Sequence, residues 1–334
     1  MKKYLIFFGA CIIISSCSAP EAAISLRMQG GRSQALIFQN CKAVSEDEIE
    51  FVFSRPVIVK NLNLLPDITV DSVENGSTVK VKLQETAAPG SLITADIVAE
   101  DEKKNTINVL VSLRSKNNRM PELVINELCT ENSKPKMEFI EFLMLSDGNL
   151  GGMRVIILGN TNAARETIYE FQPVEVKKGD YILLHLRTVE EDCINEYGDN
   201  LNESGGTNAA PLARDFWIPG NSKLVHREAT IIYVLNQDDN ALAALMVSNS
   251  TDVSWSRDYH EQAAAFLFNQ GLWQSAQGNI CGPVDAAKST GTTNTRTICR
   301  DETARNANTA ESWYVTVTSG KTAGRPNNPN RYSN

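Results

Sequence analysis

Short runs that alternate apolar and polar residues, broken by turn residues, fill the sequence from Leu26 to Leu113. Ile49, Phe51 and Phe53 occupy every second position of one run, and comparable runs follow at residues 79–83, 92–99 and 106–113. A period of two places apolar side chains on one face of a half-buried strand. Turn residues separate these runs and no amphipathic helix lies between them. We therefore expect residues 26–114 to form an immunoglobulin-like β-sandwich.

Composition places the whole chain among ordinary globular proteins. Of its 334 residues, 42% are hydrophobic and 22% are charged, which disfavours wholesale disorder and coiled coil. This length suggests about two domains. The formal net charge is -8 and no long basic tract offsets it, so nucleic acid is not expected as a partner.

The N-terminus has the pattern of an export signal. Met1-Lys2-Lys3 is followed by eleven apolar residues, 4–14, which as a helix span only about 16 Å, half of a bilayer core. The sequence Ile-Ser-Ser-Cys at 14–17 resembles the lipobox of bacterial lipoproteins, with Ile where Leu is usual, as in the looser pattern of spirochaetes and some Bacteroidetes.

That resemblance implies removal of residues 1–16 and acylation of Cys17, including an amide-linked chain such as palmitate. Residues 17–25 would then be a tether, and the acyl chains would anchor the protein to the bacterial envelope, at the periplasmic face or at the cell surface on the outer membrane. No other stretch reaches 18 apolar residues, so these chains would be the contact with the membrane. The alternative is an ordinary secretory signal peptide with cleavage elsewhere and Cys17 as a bystander.

Two further segments bear on the first domain. Residues 45–57 and the turn at 101–106 resemble bacterial immunoglobulin-like modules, although the Cys…Trp…Cys core of a true immunoglobulin domain is missing. This resemblance therefore implies the sandwich architecture alone. Residues 115–121 are polar, rich in turn residues and end in Pro121, so we expect a linker there.

The second half, residues 122–334, resembles the lamin tail domain family. Ile-Asn-Glu at 125–127 and Glu-Phe-Ile-Glu-Phe at 138–142 resemble its first strands, and the segments at 170–184, 295–300, 311–313 and 324–327 follow in the family's order. The resemblance implies a second β-sandwich, so the fold class is all-β. The family's tryptophan after the second strand is missing, and a large insertion interrupts the scheme at residues 188–223.

Two features of this half depart from a plain sandwich. Asp258 and Glu261 fit the capping box of one short helix, which Gly271 would end. The insertion carries Phe216 and Trp217, which on an exposed loop would be a ligand contact. The alternative is that both rings pack the loop onto the core.

Five cysteines lie beyond Cys17, and their spacing matches no zinc pattern. Cys281 and Cys299 are the candidate disulfide because both fall late in one domain of an exported chain. Buried free cysteines are the alternative. The three histidines stand alone in the sequence, which favours satisfied core or exposed side chains over metal ligands.

A search for catalytic patterns finds no nucleophile elbow, phosphate loop or dinucleotide fingerprint. Glu127 and Glu141 could face each other on neighbouring strands, yet the sequence shows no cleft between them. We expect no catalytic residue, no cofactor and no metal, and a non-catalytic binding, adhesion or scaffolding module for a protein or glycan ligand.

The competing hypotheses are a carbohydrate-binding or accessory module of an extracellular hydrolytic system, and an enzyme whose residues are scattered along the sequence. Exposed tryptophans, with Trp217, Trp255 and Trp273 as candidates, would favour sugar binding.

Overall fold

The first domain consists of six strands. The computed structural model describes residues 35–131, 137–159, 166–275, 278–304 and 308–333. The runs of alternating residues at 48–53, 79–83, 92–99 and 106–113 each lie within a strand, as the sequence predicts. The strands are β1 (Phe38–Ser45), β2 (Glu48–Leu65), β3 (Val70–Glu74), β4 (Gly76–Leu83), β5 (Leu92–Asp101) and β6 (Thr106–Arg114).

Strand β2 changes partners along its length and so contributes to both layers of this domain. Residues 48–52 lie between β1 and β4, and residues 57–65 pair with β5. β3 flanks β4, and β6 flanks β5. β1 contacts β6 and closes one side of the sandwich. Inward side chains from both layers, among them Phe51, Val79 and Ile97, form a single apolar core.

The second domain is also built mainly of strands. Its elements are β7 (Leu123–Cys129), β8 (Phe139–Met144), β9 (Gly148–Asn149), β10 (Arg154–Gly159), β11 (Thr167–Glu170), β12 (Glu175–Val176), β13 (Tyr181–His185), β14 (Arg214–Trp217), β15 (Thr230–Leu235), β16 (Ala241–Ser248), α1 (Asp258–Asn269), a 3₁₀ helix (Pro283–Asp285), β17 (Ala287–Lys288), β18 (Ile298–Arg300), a second 3₁₀ helix (Ala310–Ser312) and β19 (Trp313–Val315).

These strands form two facing sheets. One has the order β14-β13-β8-β7-β18-β19 and the other β11-β10-β15-β16-β17, with β9 and β12 as a separate pair. The inner faces of the two sheets share one large core, which includes Phe142, Phe171 and Trp273. Two nearly continuous apolar runs, residues 181–185 and 230–235, lie in these sheets as β13 and β15. The all-β fold class is confirmed.

The predicted helix exists as α1, which buries Ala264 and Leu267 against the core. Gly271 follows it with φ of 71°, a left-handed conformation that suits the end of a helix. The prediction of Asp258 as N-cap is wrong by one residue. The carbonyl of Arg257 accepts the first hydrogen bonds, from the N–H groups of His260 and Glu261, so Arg257 is the cap. None of the helices within the described residues has the length and apolar character needed to cross a bilayer.

Residues 115–121 form an ordered junction. Asn117, which is buried, donates from Nδ2 to the carbonyls of Asn149 at 2.8 Å and Gly151 at 2.9 Å. Its backbone N–H donates to Oε1 of Gln237 at 2.8 Å. One asparagine therefore binds two separate segments of the second domain, which fixes the direction in which that domain leaves the first.

Ion pairs and close backbone packing reinforce the junction. The pairs are Arg114–Glu170 at 2.7 Å, Lys116–Asp238 at 2.9 Å and Arg119–Glu175 at 2.6 Å. Gly90 and Gly151 lie against each other across the two domains. A Cβ atom on Gly151 would lie 2.1 Å from the carbonyl oxygen of Pro89, so this contact requires glycine.

We expect Gly151→Ala to lower the free energy of unfolding by about 1–3 kcal/mol and to broaden the distribution of distances between the domains, because the new methyl group overlaps backbone. Gly198→Ala is the matched control, since its Cβ would meet nothing closer than 3.7 Å. Urea denaturation and spin-label distance measurements test this. Equal behaviour of the two variants would show that the glycine contact does not hold the domains together.

Candidate functional site

Two buried carboxylates face each other in the larger sheet of the second domain. Glu127 of β7 lies in register with Glu141 of β8, and both side chains are fully buried. The sequence suggests this cross-strand pairing, and the register confirms it. Burial of a charged carboxylate destabilises the fold unless hydrogen bonds or protonation compensate. Such groups cluster at functional sites, which makes this pair the candidate site.

A loop near the C-terminus supplies most of the hydrogen bonds to the pair. The N–H of Thr322 donates to both oxygens of Glu127 at 3.2 Å, and its hydroxyl donates to Oε2 at 3.1 Å. Thr297 donates its hydroxyl to Oε1 of the same carboxylate. The N–H of Gly324 donates to Oε2 of Glu141 at 2.6 Å. The two carboxylates thus hold residues 322–324 against the sheet.

Two asparagines extend this network. Asn126 donates from Nδ2 to Oε1 of Glu141 at 3.0 Å and to Oε1 of Glu302 at 3.2 Å. Asn327 donates from Nδ2 to the carbonyls of Asn126 and Arg300, each at 2.9 Å. The segments Ile-Asn-Glu, Glu-Phe-Ile-Glu and Gly-Arg-Pro-Asn therefore meet in one cluster, although almost 200 residues separate the first from the last. We call this cluster the carboxylate latch: Asn126, Glu127, Glu141, Thr297, Glu302, Thr322, Gly324 and Asn327.

Burial controls the electrostatics of the latch. Desolvation, followed by the neighbouring charge of Glu127, raises the pKa of Glu141 to about 8. Desolvation also raises the pKa of Glu127, against the hydrogen bonds from Thr297 and Thr322. Two carboxylates this close favour a state in which a proton is retained at neutral pH.

This geometry is suited to holding the fold rather than to binding a substrate. Both oxygens of Glu127 and both oxygens of Glu141 accept hydrogen bonds from the protein itself. Glu138, directly before β8, is also fully buried but is not among the residues of the latch. Glu138 instead forms a two-pronged ion pair with Arg187, with both N–O distances 2.7 Å.

A second polar cluster ties the insertion, residues 188–223, to the sheet. Nε2 of His185 lies 2.7 Å from Oδ1 of Asp215, and both side chains are buried. The His185 ring stacks on Trp217 with centroids 3.8 Å apart. Desolvation lowers the pKa of His185, and the hydrogen bond to Asp215 opposes that effect. Because β14 pairs in parallel with β13, these three residues occupy adjacent strands.

The rest of the insertion folds around this cluster. Glu196 accepts from the N–H groups of Ser204 at 3.1 Å and Asp215 at 2.8 Å. Nε1 of Trp217 donates to the hydroxyl of Ser204 at 2.9 Å. The loop is thus fastened down by its own polar side chains. The pairing of His185 with Asp215 was not predicted from the sequence. The available indication is a histidine at the end of an apolar strand, because its ring nitrogens need hydrogen-bond partners when the strand is buried.

Phe216 and Trp217 do not form an exposed ligand contact. Their exposed fractions are 0% and 3%, so that prediction is wrong and the alternative, in which the rings pack the loop onto the core, is correct. Phe216 contacts Phe171 edge to face, with centroids 5.0 Å apart. Trp255 and Trp273 are buried as well and donate their indole N–H groups to backbone carbonyls.

The predicted disulfide between Cys281 and Cys299 is also wrong. Both are free and buried, and burial raises the pKa of Cys281 to about 11 and that of Cys299 further. Cys299 lies in β18 of the larger sheet, whereas Cys281 lies in the loop that leads to β17 of the opposite sheet. Although the two cysteines are close in sequence, they lie in different layers of the domain. Cys17, the predicted lipidation site, lies outside the described residues.

In the part of the chain that the structure describes, no three His, Cys, Asp or Glu side chains converge as a metal site. His260 illustrates the reason. It is buried, and its Nε2 lies 3.0 Å from the carbonyl oxygen of Leu158. This contact gives the buried ring a hydrogen bond within the core.

The raised pKa of Glu141 predicts a pH-dependent stability. Between about pH 4.5 and 8 the folded chain retains a proton that the unfolded chain releases, so stability falls as pH rises through this window. We expect Glu141→Gln to remove this contribution. From pH 5 to pH 8 the free energy of unfolding of the parent should therefore fall more than that of the variant.

Urea denaturation at several pH values measures the effect. Glu122→Gln, which removes an exposed carboxylate from the same domain, is the control and should follow the parent. Parallel stability curves for the parent and Glu141→Gln would contradict the assignment.

Comparison with known proteins gives two matches. An uncharacterized protein of Treponema pallidum (strain Nichols) is 24% identical over 190 residues, which cover 53% of this chain and 46% of the relative. The alignment thus spans about half the length of that relative. The family model TP_1001_2nd, described as a protein second domain, matches residues 121–315, more than half of the chain. By that match, the protein belongs to the TP_1001_2nd second-domain family.

Proposed function

We propose that this chain is a lipid-anchored protein of the bacterial cell envelope that acts as a non-catalytic binding, adhesion or scaffolding module. The anchor would be Cys17, on the basis of the charged start, the short apolar run and the Ile-Ser-Ser-Cys sequence. The first domain would be an immunoglobulin-like module, and the second would be related to lamin tail domains.

The position of Ala35, the first described residue, carries the proposal. The carbonyl of Ala35 accepts from Nη2 of Arg55 at 2.9 Å, and Arg55 pairs with Asp101 at the far end of β5. The other end of β5 lies at the junction, where the N–H of Ser91 donates to the hydroxyl of Ser115 at 2.9 Å. Ten residues of β5 span about 33 Å. A tether that enters at Ala35 would therefore join the first domain at the end remote from the junction with the second domain.

The ordered junction supports a role as a spacer. A flexible linker would let the second domain fold back to the membrane, whereas Asn117 and the glycine contact fix its direction. A fixed orientation of the second domain relative to the first is suited to adhesion or scaffolding.

The carboxylate latch supports a non-catalytic role. A catalytic carboxylate must reach a substrate, but the oxygens of Glu127 and Glu141 are occupied by protein donors. The latch also brings together the segments that resemble the lamin tail family, which favours that relationship for the second domain.

The alternative, a carbohydrate-binding or hydrolytic accessory module, loses its best candidates because Trp217, Trp255 and Trp273 are buried. Sugar binding by stacking needs an exposed ring face. We therefore rank it second.

Anchoring is tested by Cys17→Ser in the full chain. We expect the protein to move from the membrane fraction to the soluble fraction and to stop incorporating labelled palmitate. Cys41→Ser is the matched control, since Cys41 lies in β1 of the first domain, and it should stay with the membrane. Retention of Cys17→Ser in the membrane would refute lipidation at this residue.

Binding is tested with a photo-reactive residue at Val253, which is 79% exposed. It follows β16, whose other end meets the junction turn, so it lies at the end of the second domain remote from the first. We expect protein adducts in intact cells from this position and fewer from Leu110, an exposed position on the first domain. Saturable binding of the purified chain to a glycan array, without protein adducts, would favour the alternative.

A further inference from the structure

An asparagine that is followed by glycine lies at the turn between β3 and β4. Asn75 is the residue between these two strands and is exposed, and Gly76 is the first residue of β4. Of the asparagines in this sequence, Asn75 is the one that precedes a glycine. Because glycine has no side chain, its backbone nitrogen can be approached closely by the asparagine side chain before it.

A backbone N–H of β2 holds the side chain of Asn75. Its Oδ1 accepts from the N–H of Val59 at 2.8 Å. The pairing of β2 with β4 ends at Val57, which is in register with Gly76. Beyond that point the Asn75 side chain bonds to the edge of β2 in place of a strand. The amide carbonyl is therefore both fixed in position and polarised by a backbone donor.

This donor lies where a negative charge would develop in a reaction of the side chain. When the nitrogen of Gly76 attacks Cγ of Asn75, the charge forms on Oδ1. An N–H group stabilises such an oxyanion at a distance of about 2.7–3.1 Å, and Val59 meets that requirement. We propose that Asn75 is a site of spontaneous deamidation and that the N–H of Val59 promotes the reaction.

The reaction uses water and needs no enzyme. The bond that forms joins the nitrogen of Gly76 to Cγ of Asn75, and the bond that breaks joins Cγ to the side-chain nitrogen. That nitrogen leaves as ammonia and takes up the proton that the Gly76 nitrogen gives up, so a cyclic succinimide remains. Water then opens the ring at either carbonyl, which yields aspartate or isoaspartate. Nothing is oxidised or reduced.

Deamidation would change the surface of the first domain at this turn. Asn75 lines a cavity of about 310 Å³ beside β2 and β3, together with Val59, Lys60, Val70 and Val73. Either product places a new negative charge there at neutral pH. In isoaspartate, the former Oδ1 belongs to the main chain and a methylene group lengthens the turn. The age of a molecule is thus recorded in the charge and shape of this cavity.

Peptide mapping by mass spectrometry tests this in the full chain after incubation at mildly alkaline pH. Asn105 is the internal control, because it lies in the turn before β6 and precedes the branched Thr106. We expect the peptide with Asn75 to accumulate aspartate and isoaspartate about tenfold faster or more than the peptide with Asn105.

Val59→Pro tests the donor, since proline has no N–H. This N–H bonds to Asn75 and not to β5, so the change removes no hydrogen bond between β2 and β5. Val59→Ala is the matched control, because it shortens the side chain and keeps the N–H. We expect deamidation at Asn75 to be about tenfold slower in Val59→Pro than in Val59→Ala.

Two results would overturn the proposal. The first is an Asn75 that reacts more slowly in the folded chain than in a synthetic peptide of residues 70–82, which would show that the fold blocks the reaction. The second is a rate in Val59→Pro equal to or above that in Val59→Ala. If circular dichroism shows Val59→Pro to be unfolded, the comparison of the folded parent with the peptide decides alone.

Discussion

The carboxylate latch is the interaction on which the second domain depends. Glu127 and Glu141 lie on the two central strands of the larger sheet, where unpaired carboxylates would be strongly destabilising. The loop at 322–327 provides backbone and side-chain donors that form hydrogen bonds with these carboxylates. The segment at 322–327 is thereby bound to β7 and β8, the first strands of the domain.

The same principle holds the insertion in place. His185, Asp215 and Glu196 are buried polar groups that bind one another or the loop backbone, and Trp217 stacks on the histidine. The segment 188–223, which leaves the sheet after β13, thus packs its buried residues into the domain. The sequence pattern places these polar residues on a surface loop. In the fold, their hydrogen bonds hold that loop against the sheet.

Much of the first domain follows from its sequence, because a period of two permits one arrangement of inward and outward side chains. β2, β4, β5 and β6 lie where the alternation of Ile49, Phe51 and Phe53 and of the later runs places them. The change of partners along β2 could not be foreseen, since it depends on how the strand bends after Phe53.

The sequence by itself determined the all-β class, the alternating strands of the first domain and the position of helix α1, and it suggested the pairing of Glu127 with Glu141, because periodicity and turn chemistry act locally. Only the tertiary structure decided which residues were withdrawn from solvent. It buried Trp217, left Cys281 and Cys299 as free buried thiols, and turned the polar residues near Asn117 into an ordered junction. These outcomes depend on contacts between segments far apart in the chain, and local pattern carries no information about which distant donor will satisfy a buried group.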